Sequence, residues 1–118
     1  MKVLILDDDE LSVEMMETLL ELNGCEVSTF TCPQEAIDSI KVNKYDLILT
    51  DFMMPGMNGV LFVENVKDYI ENTRIAFTTA YMKDLFGGNN EKPKKIDRIF
   101  MKPISVDELI DYVNSIKK

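Results

Sequence analysis

Histidine is absent from this chain of 118 residues. Its absence excludes histidine metal ligands and histidine acid–base catalysis within the chain. Cysteine is scarce, with only Cys25 and Cys32 present. Their spacing matches no zinc or redox motif. A chain long enough to bury its own core needs no disulfide, so both are expected as reduced thiols. No apolar run approaches the roughly 20 residues needed to span a bilayer. The first strand is read from Lys2, with no signal segment ahead of it. The expected location is therefore the cytoplasm, without membrane insertion. Positive charge is almost missing from residues 1–40, which hold ten acids and Lys2 alone. A net charge of −8 repels a phosphate backbone, which argues against direct nucleic-acid binding. Local basicity is confined to Lys92, Lys94, Lys95, Arg98 and Lys102. These residues read as a solvated loop plus one functional lysine, with a docking patch for an acidic partner as the alternative.

What is present is an alternation of short β-rich runs and helical periods. Val3-Leu4-Ile5-Leu6 is a continuous apolar run, as expected of a strand covered on both faces. From Glu10 the pattern turns helical: Leu11, Met15 and Leu19 repeat every four residues, with Met16 and Leu20 alongside. Asn23-Gly24 stops that helix. Val27 to Phe30 reads as a second strand, and Pro33 opens a second helix with Ala36, Ile37 and Ile40 on one face. Leu47 to Thr50 is the third strand, and Phe62, Val66 and Tyr69 mark the third helix. Arg74 to Thr78 and Ile99 to Met101 are the fourth and fifth strands. Gly87-Gly88-Asn89-Asn90 and Pro93 allow at most a short helix between them. Ser105 and Glu108 form a capping box for a final helix. The chain thus reads as one α/β domain over 1–118, with a five-stranded parallel sheet between helices.

In open sheets of this kind, sites form beyond the carboxyl ends of the strands. After the first strand come Asp7, Asp8 and Asp9. Asp51 follows the third, Thr79 the fourth and Lys102 the fifth. Converging carboxylates repel one another unless a cation joins them. Oxygen ligands without nitrogen or sulfur suit Mg²⁺. Lys102 can contact Asp51 at rest and a phosphoryl oxygen later. Thr79 can donate a hydrogen bond to another phosphoryl oxygen. A carboxylate placed in line, with charge neutralised around it, can accept a phosphoryl group. Asp9 and Glu10 read as helix-start residues rather than ligands. Of the adjacent threonines only one can point into the pocket, and Thr79 is the choice.

Four stretches carry a family resemblance: Val3 to Asp9, Asp51 to Gly59, Thr79-Ala80 and Lys102-Pro103. In that order and at those spacings the chain resembles the receiver domain of bacterial two-component response regulators. The resemblance covers essentially the whole chain. It implies a flavodoxin-like (βα)5 fold with strand order 2-1-3-4-5. It makes Asp51 the phosphoacceptor, with Asp8, Asp51 and the backbone carbonyl of Met53 on Mg²⁺. Asp7 would act through a metal-bound water, and Mn²⁺ would substitute for Mg²⁺. Thr79 and Lys102 would couple the phosphoryl group to the fourth and fifth strand–helix units, and so to partner binding. The donor would be a phosphohistidine on a sensor histidine kinase or a histidine phosphotransfer protein. No output domain is expected within the chain.

Three departures from the family pattern stand out, one being the Gly87-Gly88-Asn89-Asn90 stretch, which is expected to leave the fourth helix short. Ile99 occupies the position, three before the lysine, where the family usually has an aromatic switch residue; Phe100 is next to it. Lys95-Ile96-Asp97 replaces the usual Gly-Ala before the fifth strand. Met53 and Tyr81 are bulky, and are expected to shield the phosphoryl group from water. Two other functions compete. One is a receiver-like interaction module that takes no phosphate. The other is a small aspartate-nucleophile phosphatase, which would use Asp7.

Overall fold

Four apolar residues in a row leave no polar face for solvent, and Val3 to Leu6 are all fully buried. In the computed structural model of the chain, which describes residues 1–80 and 96–117, they form β1 (Lys2–Leu6). It is followed by α1 (Glu10–Leu22), β2 (Glu26–Phe30), α2 (Pro33–Val42) and β3 (Leu47–Asp51). Next come α3 (Gly59–Val66), β4 (Arg74–Thr79), β5 (Ile96–Met101) and a C-terminal helix (Val106–Lys117). The sheet order is β2-β1-β3-β4-β5, with every neighbouring pair parallel. That is the order expected. The break at Gly87 to Asn90, the short helix around it, Tyr81, and Lys92, Lys94 and Lys95 lie outside the described residues.

Alternate side chains point to opposite faces of a strand, which divides the core in two. Leu4, Leu6, Ile48, Ile75 and Phe77 pack on α2 and α3. Val3, Ile5, Leu47, Leu49, Ala76 and Phe100 pack on α1 and the C-terminal helix. A fully buried side chain of this size contributes roughly 1.5–3 kcal/mol, so both layers hold the sheet edge in place. Between Ile75 and Ala76 the pairing with β5 slips: Ile75 faces Ile96, but Ala76 faces Arg98. This bulge at Asp97 inverts the alternation of everything after it. It puts Phe100, and hence Lys102, on the same face as Leu49 and Asp51.

Two helices differ from expectation. In α1 the buried residues are Val13, Met16 and Leu20, while Leu11 is 77% and Met15 42% exposed. Both sets have helical spacing, and the packed one is rotated away from the Leu11–Met15 stripe. The third helix ends at Val66, and Tyr69 closes a following 3₁₀ turn (Lys67–Tyr69) half exposed. The Asp51–Gly59 loop contains a two-residue antiparallel ladder, Met53–Met54 on Met57–Asn58, turned by Gly56 at φ 78°. Gly59 is needed for space: a Cβ there would lie 2.8 Å from the Phe77 ring. Ser105 Oγ accepts from the Glu108 N–H at 3.3 Å, one half of the expected capping box. Both cysteines are free, Cys25 buried and Cys32 exposed.

Candidate functional site

At the carboxyl ends of β1 and β3 the polypeptide turns out of the sheet, and its next side chains converge. Oxygens of Asp7, Asp8 and Asp51 lie within 4.8 Å of one another. Asp7 is fully buried and Asp51 is 7% exposed, while Asp8 is open to solvent. Asp7 Oδ1 accepts the Asp9 N–H at 2.9 Å. Lys102 Nζ donates to Asp7 Oδ2 at 2.9 Å and to Asp51 Oδ2 at 3.3 Å. Sequence reading anticipated the contact to Asp51 but missed the shorter one to Asp7. The signal for it is alternation: Asp7 continues the Ile5 face and Lys102 the Phe100 face.

Two backbone bonds tie the strand ends together. The Phe52 N–H donates to the Thr78 carbonyl at 2.9 Å, and the Lys102 N–H donates to the Thr79 carbonyl at 2.7 Å. Thr78 and Thr79 are both buried. Asp51 pairs in register with Thr78 and shares its sheet face, although sequence reading assigned the pocket to Thr79 alone; Thr79 stands one residue further toward the rim. Met53 lies just beyond Asp51 with its side chain half exposed. Asp9 has left the cluster. It caps α1 by accepting from the Leu11 N–H at 3.1 Å and the Ser12 hydroxyl at 2.9 Å. Phe100 is buried edge-on against Tyr112, and Ile99 is half-buried.

The electrostatics follow from one ammonium among three carboxylates. Burial, then the charge of Asp7, push the Asp51 carboxyl up to about 6, although Lys102 pulls the other way. Burial works against the Lys102 ammonium. Its hydrogen bond to Asp7 and the charges of Asp7 and Asp51 outweigh that and raise its pKa above the ordinary lysine value. The Ser12 hydroxyl and the Leu11 N–H instead lower the Asp9 carboxyl. Among the described residues, one lysine thus leaves the trio with excess negative charge. All its donors are oxygens and two are largely withdrawn from water, a set that fits a hard divalent cation such as Mg²⁺.

Residues 3–114 match the family described as the response regulator receiver domain, and the chain belongs to that family. It is 29% identical to the cell cycle transcriptional regulator CtrA of Caulobacter vibrioides, over 98% of this chain and 50% of that protein. It therefore spans half the length of that relative. It is 30% identical to the polar-differentiation response regulator DivK of Brucella anthropi, over 96% of this chain and 93% of that one. Among solved structures, the receiver domain of the Francisella response regulator 1452 superposes with a TM-score of 0.81. That match has 31% identity and covers 98% of this chain and 94% of the other.

Proposed function

We propose that residues 1–118 form a single receiver domain that works as a phosphoacceptor switch, with Asp51 as the acceptor. The carrying observation is the Lys102 ammonium clasping Asp7 and Asp51 over a three-carboxylate cluster. An Asp51 oxygen attacks the phosphorus of a phosphohistidine on a sensor histidine kinase or a histidine phosphotransfer protein. The O–P bond forms, the P–N bond breaks, and the electron pair returns to the imidazole nitrogen. Asp8, Asp51 and the Met53 carbonyl would hold Mg²⁺ or Mn²⁺, with Asp7 acting through a water. Bound there, the metal would neutralise charge on the transferring group.

Lys102 then leaves the Asp51 carboxylate for a phosphoryl oxygen. Thr79 stands one residue beyond the register partner of Asp51, at the level a phosphoryl group would reach, and donates to a second oxygen. The Lys102 N–H to Thr79 carbonyl bond joins the two strand tips, so movement of one carries the other. The β4–β5 face is therefore the output surface that controls partner binding. Phe100 is anchored in the core, so the switch works without a swinging aromatic side chain. The alternative phosphatase reading requires Asp7 as nucleophile. Asp7 is fully buried, with one oxygen on the Asp9 N–H and the other on Lys102, which speaks against it.

The test is intact-mass measurement after incubation with Mg²⁺ and acetyl phosphate. Wild type is expected to gain one phosphoryl group of about 80 Da, and Asp51→Asn none. No gain in wild type, with acetyl phosphate or with a phosphorylated kinase, sinks the phosphoacceptor reading in favour of an interaction module.

A further inference from the structure

Thr78 sits where an apolar side chain would be expected. It follows Ala76 on the face that packs α1 and the C-terminal helix, and it is 1% exposed. Its Oγ1 has no hydrogen-bond partner among the described residues. A buried hydroxyl left unpaired is costly, and valine would fill the same shape without that cost. The hydroxyl therefore calls for an explanation outside resting packing.

Its neighbours supply one. In the sheet Thr78 pairs with Asp51 on one side and Phe100 on the other. All three share a face, the one on which Lys102 reaches Asp51. Paired residues of adjacent strands stand about 5 Å apart, so the Thr78 and Asp51 side chains are neighbours on that face. At rest Lys102 holds the Asp51 carboxyl group through Oδ2. When Lys102 leaves for a phosphoryl oxygen, the largely buried Asp51 carboxyl group loses that hydrogen bond, and the oxygen that would hold the cation keeps a second lone pair to accept another.

We propose that Thr78 is a positioning residue for Asp51, its hydroxyl replacing Lys102 on the carboxyl oxygen as the phosphoryl group arrives. This inference rests on the phosphoacceptor reading above. It assigns Thr78 and Thr79 separate tasks: Thr79 contacts the phosphoryl group, and Thr78 holds the carboxyl group that carries it.

The experiment compares wild type, Thr78→Val and Thr78→Ser. Melting temperature is read without donor, and the rate of mass gain is read with Mg²⁺ and acetyl phosphate. Thr78→Val is expected to melt higher than wild type yet to accept phosphoryl groups about three- to tenfold more slowly. Thr78→Ser is expected to recover the rate to within about twofold, although its lost methyl lowers stability. A purely structural threonine would give the reverse order, with valine at least as fast as wild type, and that result overturns the proposal. A lower melting temperature for Thr78→Val also overturns it, because the hydroxyl would then be paired at rest. Absence of mass gain in wild type would instead overturn the phosphoacceptor reading itself.

Discussion

The two ends of the sheet treat charge and polarity in opposite ways. At the amino end of β1 and β3, Asp46 accepts the Lys2 N–H at 2.8 Å, and the Thr73 hydroxyl donates to the Tyr45 carbonyl at 2.7 Å. The hydroxyls of Tyr45 and Ser39 meet at 2.6 Å. Acids, hydroxyls and carbonyls each find a complement there, beside an open depression of about 430 Å³. At the carboxyl end three acids converge, one lysine bridges two of them, and the Thr78 hydroxyl has no hydrogen-bond partner among the described residues. One end is arranged for stability. The other holds like charges close together, two of them largely withdrawn from water.

Removing the single ammonium should break the contrast most severely. Lys102→Ala leaves Asp7 and Asp51 buried without a counter-charge from the described residues. It is expected to lose about 2–4 kcal/mol of stability at pH 7 in urea denaturation, together with most of the phosphoryl uptake. A loss no larger than that of an exposed lysine would mean the trio is already neutral.

The next effect runs the other way. The Asp51 carboxyl has a pKa of about 6 in the folded protein against 3.8 for the free side chain. Between those values the folded state binds more protons, so stability falls as pH rises from about 4 to 6 and stays lower above. Asp51→Asn removes that cost. Without Mg²⁺ it should be more stable than wild type by about 2–3 kcal/mol at pH 7, and indistinguishable from it at about pH 3.5. Urea titrations at the two pH values check this; an equal difference at both contradicts it.

The smallest change belongs to the opposite end. Thr73→Val strips a buried hydrogen bond from the Tyr45 carbonyl and should cost about 1 kcal/mol at any pH. Phosphoryl uptake should be unchanged. A slower uptake would show that the two ends are coupled.

Much of the fold was legible because β1, β3 and β4 are largely apolar and the candidate site residues stand at strand ends; β2 is Glu26-Val27-Ser28-Thr29-Phe30, and β5 begins at Ile96, three residues before the apolar run Ile99 to Met101. Asp7, Asp51 and Lys102 could be placed on one rim from that fact alone. The buried face of α1 could not, because Leu11, Val13, Met15, Met16, Leu19 and Leu20 support two overlapping stripes. Only packing against Val3, Ile5 and the C-terminal helix selects one of them. The Lys102–Asp7 contact depends on the bulge at Asp97, a slip between two strands that neither strand's own pattern reveals. Once it is known, simple alternation gives the faces of Asp7, Thr78 and Lys102. The two-residue ladder in the loop after Asp51 is too short to leave a period in the sequence.

The purely parallel sheet has a consequence for how the protein is made. No strand can pair with its sequence neighbour by a simple hairpin. Lys2 waits for Glu26, Val3 for Leu47, and Ile75 for Ile96. Contacts this distant form slowly. On a ribosome the three acids emerge before the lysine that restrains them. Until residue 102 has left the exit tunnel, the nascent chain carries a cluster of carboxylates without its counter-ion. Closure of the last strand is therefore expected to complete the sheet and bring Lys102 onto Asp7 and Asp51 in one late event.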